Sequence, residues 1–126
     1  MFELNISGVC YQFNFGIGFV RDINKTVQKP VDGIQGMKED MGLAFHVGQV
    51  LAGDVLALVE VLELANKGKD PRITTAVLEE YIDDPNTDID KLFADVIDFF
   101  TTANATKKTT LAMAEALGIE LKPKKK

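Results

Sequence analysis

The chain has 126 residues, 46% of them hydrophobic and 26% charged, with a formal net charge of −5. That is enough to bury a core without metal or disulfide staples, and an acidic body argues against wrapping nucleic acid, which needs clustered Lys and Arg. Four of the fourteen cationic residues sit in the terminal "LKPKKK", so the rest is more acidic still; Leu78 to Asp98 holds eight carboxylates against Lys91 alone.

The first fifteen residues alternate. Phe2, Leu4 and Ile6 are followed, after Ser7-Gly8, by Val9, Tyr11 and Phe13. Ser-Gly suits a two-residue hairpin turn that needs positive φ. That turn sets Ile6 against Val9, Leu4 against Tyr11 and Phe2 against Phe13, all on one face. Cys10 falls on the opposite face. As the only cysteine it forms no intramolecular disulfide and points to a reducing compartment. The start "MFELNISG" lacks the basic stretch and apolar run of a signal peptide.

"FNFGIGFVRDINK" follows, and the spacing of Phe19, Val20 and Ile23 predicts a helix. Its two glycines do not make a dinucleotide fingerprint, because Arg21 stands where the third glycine belongs. They read instead as the corner between ribbon and helix. Pro30 forbids continuation of that helix, and "KPVDGIQGMKED" reads as a mobile connection.

A helix is expected from about Met41 to Ala52, then a second from an Asp54 cap to Asn66 with Gly68 just beyond. The apolar run is interrupted by Asp54, Glu60 and Glu63, so it is read as buried or partner-facing helix and not as a membrane span. Val55, Leu58, Val59, Val61, Leu62 and Leu64 cover most of the second helix, leaving a strip of Glu60, Glu63 and Lys67. Such a helix is either central to a core or covered by a partner. His46, the only histidine, is expected to be a packed or hydrogen-bonded helix residue.

A short helix capped near Thr74 precedes "DDPNTDIDKLFAD". Asp84, Asn86, Asp88, Asp90 and Asp95 occupy calcium-loop positions, but Ile89 stands where an EF-hand needs glycine. Thr87 and Asp90 have capping-box spacing instead, opening an amphipathic helix with Ile89, Leu92, Phe93, Val96 and Phe100 on its stripe, widened by Ile97 and Phe99. A last helix runs from about Thr106 to Leu117. The expected fold is mainly α with some β: an antiparallel hairpin (residues 1–15) and about five helices in one domain, 1–121, with 122–126 a disordered basic tail. No catalytic, cofactor or metal set converges, so the chain is not expected to be an enzyme.

The hairpin running into "FNFGIGFVRDINK", with Phe15, Gly16, Phe19, Arg21 and Asp22, then acidic helices and a lysine-rich end, resembles the tail assembly chaperones of long-tailed bacteriophages. The resemblance implies a chaperone in the host cell cytoplasm that holds the long, helical, apolar tape measure protein in soluble form while tail tube protein assembles, and that is absent from the mature virion. One small domain cannot cover so long a client, so repeated copies, as a homo-oligomeric ring or spiral, are expected, and the acidic body and interrupted apolar run leave no nucleic acid or membrane partner expected. Two helical surfaces are the expected contacts, Val55, Leu58, Val59 and Leu62 on one and Phe93, Ile97 and Phe100 on the other, one for self-association and one for client. The alternative is a structural tail or head–tail connector subunit of the virion.

Overall fold

Alternation at the start of the chain does become a hairpin. In a computed structural model that describes residues 2–121, β1 (Phe2–Ile6) pairs antiparallel with β2 (Val9–Phe13). Phe2 stands opposite Phe13, Leu4 opposite Tyr11 and Ile6 opposite Val9, the register the sequence predicts. Ser7 and Gly8 carry the turn at φ 52° and 81°, as a tight two-residue loop requires. The apolar face is covered unevenly: Phe2, Ile6 and Phe13 are buried, Leu4 and Tyr11 half-buried, and Val9 exposed.

The corner into α1 (Ile17–Asn24) is made by packing more than by glycine freedom. Gly16, the N-cap, is extended at φ −87°, a region open to other residues. The bend is held by the Asn14 N–H, which donates to the Ala65 carbonyl at 2.8 Å, and by the buried Phe15 ring. That ring lies 5.2 Å from Phe19 and 5.2 Å from Phe100, both edge-on. Phe2 joins the cluster, 5.6 Å from Phe13 and 5.2 Å from Phe99. Edge-to-face and tilted pairs of this kind add to the gain from burial alone.

One segment departs from expectation. Residues 28–40 are not an irregular connection but a second antiparallel hairpin, β3 (Gln28–Pro30) with β4 (Lys38–Asp40). Polar pairing holds it: Lys29 lies opposite Glu39, and the Gln28 side chain donates to Asp40 at 2.8 Å. All six strand residues are exposed, so no apolar alternation marks them. α1 ends before this hairpin, where the Thr26 hydroxyl donates to the Ile23 carbonyl at 2.7 Å.

Five more helices follow, α2 (Gly42–Leu51), α3 (Val55–Ala65), α4 (Thr75–Asp83), α5 (Ile89–Thr102) and α6 (Lys107–Ala116). With α1 that makes six among the described residues, against about five expected. Asp54 caps α3 by accepting from Leu56 and Ala57 N–H groups at 2.9 and 3.3 Å, and Thr74 caps α4. The α5 cap sits one residue later than the capping-box spacing suggests. Asp88 accepts from Lys91 N–H, while the Thr87 hydroxyl donates to the Tyr81 carbonyl at 2.6 Å.

α3 is largely enclosed by its neighbours. It packs against α1, α2 and α4, and its Leu58, Val61 and Leu62 are fully enclosed. α2 also packs on α6 and α5, adding Val47 and Val50, while α5 adds Val96 and Phe100. α1 and α2 approach so closely that a Cβ on Gly42 would stand 1.7 Å from the Ile23 carbonyl oxygen. The basic tail expected at 122–126 lies outside the described residues.

Candidate interaction surfaces

The reactive side chains do not converge. Cys10 is exposed on the hairpin, and no group of three or more His, Cys, Asp or Glu able to hold a metal occurs among the described residues. The calcium-like loop uses its oxygens locally. Asp84 accepts from the Asn86 N–H at 2.9 Å, Asp88 caps α5, and Asp95 pairs with Lys91 at 2.8 Å. That ion pair raises the Lys91 pKa above its usual value, chiefly through the hydrogen bond to Asp95 and then through its charge. His46 is buried, its Nδ1 donating to the Gly42 carbonyl at 2.8 Å and its Nε2 lying 3.3 Å from a Glu60 carboxylate oxygen. It is a hydrogen-bonded helix residue, as expected.

The two expected contact surfaces divide by depth. On α3, Leu58 and Leu62 are wholly enclosed and Val59 nearly so, whereas Val55 in the first turn is 42% exposed. On α5, Phe100 is enclosed at the centre of the phenyl cluster, and Phe93 and Ile97 are half-buried. The enclosed residues are therefore core of this chain, because α3 has neighbours on three sides. Val55, Phe93 and Ile97 are the members of the set a partner can touch directly.

Other apolar groups lie open that the apolar-stripe reading did not single out. Leu56 is 70% exposed and Ile17 65%. Ile34 and Met37 are exposed in the loop of the second hairpin, Phe45 on α2, and Leu111 and Leu117 at α6. A signal for Leu56 existed: it precedes Glu60 and Glu63 by four and seven residues, so it belongs to the polar strip of α3 and faces the same way.

A hollow of about 580 Å³ lies between the first hairpin and the α4–α5 link. Ile6, Val9 and Tyr11 form its hairpin side, and Val77, Glu80, Tyr81, Asp84 and Asp88 its helical side. A smaller hollow on the adjoining flank shares Asn5, Tyr81 and Asp88 with it and continues past Lys91 and Asp95. Together they form a track lined by tyrosine, aliphatic and carboxylate side chains.

A mainly helical protein with a leading hairpin, scattered open apolar groups and an acidic track, and no reactive cluster among its described residues, has the features of a protein-binding module. The family model described as phage tail assembly chaperone protein, TAC, matches residues 3–114. The chain belongs to that family. No curated protein and no solved structure matches it. No helix among the described residues is long and apolar enough to cross a membrane.

Proposed function

We propose that this tail assembly chaperone binds the tape measure protein, keeps it soluble until tail tube subunits surround it, and acts as a homo-oligomer in the host cytoplasm without catalysing a reaction. The family match over residues 3–114 carries the reading. Large apolar groups left open on a folded chain support it, with Leu56 and Val55 on α3 the leading contacts and the half-buried Phe93 and Ile97 on α5 a second face. A client rich in apolar helix is held by anchors spaced along one side, and one small domain covers only a short length, so several copies act together. The acidic surface limits nonspecific association. We read residues 1–121 as one folding unit, which a single unfolding transition at all probes would bear out.

Co-expression tests the function. The tape measure protein should partition to the soluble fraction only when this chain is present, and the two should elute together. Continued insolubility with no complex overturns the proposal. A permanent tail or connector subunit is the rival reading, and mass spectrometry of purified virions separates the two, since a chaperone is missing from mature particles.

A further inference from the structure

We propose that the acidic track beside the first hairpin receives the lysine-rich segment 122–126 of a second copy of this chain. Three features of the track match the segment in kind. Tyr11 and Tyr81 line the track as aromatic groups, and Val77 adds an aliphatic one. Glu80, Asp84 and Asp88 line the same hollow, and all three are exposed. The segment supplies four lysines and Pro123, preceded by Leu121. Ammonium groups over tyrosine faces gain cation–π attraction. Proline against tyrosine buries apolar area with little side-chain entropy to lose.

The opposing charges are concentrated at two separate places in the chain. Lys91 is the only cation among residues 78–98, and it is already engaged by Asp95. The carboxylates of the track thus have no cationic neighbour along their own stretch of sequence beyond Lys91. α6, from which residue 121 leads on, packs on α2 and α5, and the track is built from β1, β2, α4, the α4–α5 link and, past Lys91 and Asp95, α5 itself. Such a contact closes as a two-fold dimer when two copies exchange their segments and builds a ring or a spiral when each copy passes its segment on to the next.

The inference rests on the self-association proposed above and specifies its contact. Sedimentation velocity over a concentration series tests it with full-length chains: the wild type, a variant with all four tail lysines changed to Glu, and a Glu80→Lys/Asp84→Lys variant. Wild-type association should weaken about tenfold between 0.05 and 0.5 M salt, because exposed charge pairs are screened. Each variant alone should associate at least about tenfold more weakly, and mixing the two should restore association through the swapped charges. Glu80→Gln, a single exposed change, gives the same direction of effect should the double variant not fold. Association that is unchanged in the tail variant, or not restored in the mixture, overturns this contact while leaving self-association through another face standing. A wild type that stays monomeric at every concentration overturns both.

Discussion

The Asn66 side-chain amide donates to the Gln12 carbonyl at 2.9 Å, across fifty-four residues of sequence. The same fully buried side chain donates to the Pro71 carbonyl and accepts from the Ile73 N–H at 2.7 Å and from Arg72. Asn66 thus joins the end of α3 to β2 and to the loop before α4. Replacing it with Ala leaves several backbone groups at that junction without their partner, each costing about 1–3 kcal/mol. Asn66→Ala should lower the urea-unfolding free energy by about 3–5 kcal/mol. Asn66→Asp should be little better, since it keeps the acceptor but loses the donor and buries charge.

Gly42 and Gly18 should respond to alanine in opposite directions. Both are helical, where alanine is favoured intrinsically by up to about 1 kcal/mol. At Gly42 the new Cβ meets the Ile23 carbonyl oxygen at 1.7 Å and the Asn24 Cα at 2.9 Å. Backbone cannot yield as a side chain does, so α1 and α2 must separate, breaking the bond from the Leu43 N–H to Asn24 Oδ1. Gly42→Ala should destabilise by about 3 kcal/mol. Gly18 has nothing within 4 Å of the added atom, and Gly18→Ala should stabilise by about 0.5 kcal/mol. Thermal melts of the two variants check both signs.

The first hairpin was legible because its turn and its alternation dictate one register between them. The second was not, since Gln28, Lys29, Lys38, Glu39 and Asp40 show no apolar period and pair through charge and amide groups. α3 was legible as a helix but not as to what covers it. An apolar surface nearly all round carries no directional signal, and only the positions of α1, α2 and α4 show that Leu58 and Leu62 face their own chain. Gly42 and Asn66 were opaque for the same reason. What they touch depends on elements distant in sequence, and neither residue type reveals that on its own. Leu56 was readable from its place in line with Glu60 and Glu63.

Lys91 gives a dependence on pH with a definite sign. Asp95 holds its proton more tightly in the folded chain, raising the pKa from 10.5. Its stabilisation is therefore fully present below 10.5, the unfolded value, and is lost as pH rises through the higher folded value. The difference in melting temperature between wild type and Lys91→Met should be equal at pH 7 and pH 9 and should shrink above 10.5. The pair is exposed, so added salt should also reduce the difference.

Residues open to a partner can be separated from residues that only hold the fold by paired substitutions on α3 and α5. Leu56→Asp changes a side chain that is 70% exposed, and a carboxylate in the first turn of a helix is favoured by its dipole. Its unfolding free energy should stay within about 0.5 kcal/mol of wild type. Val55→Asp, at 42% exposure, should cost slightly more. Phe100→Ala, in contrast, removes a fully enclosed ring that packs on Phe15 and Phe19 and should lose about 3–5 kcal/mol. If α3 presents the client or self-association surface, the combined Val55→Asp/Leu56→Asp chain should remain folded by circular dichroism yet leave co-expressed tape measure protein in the pellet, or sediment as a smaller species. Ala substitution at Phe93 and Ile97 applies the same measurement to α5. A doubly substituted α3 chain that assembles and solubilises its client as wild type does would move the contact off α3 and onto that second face.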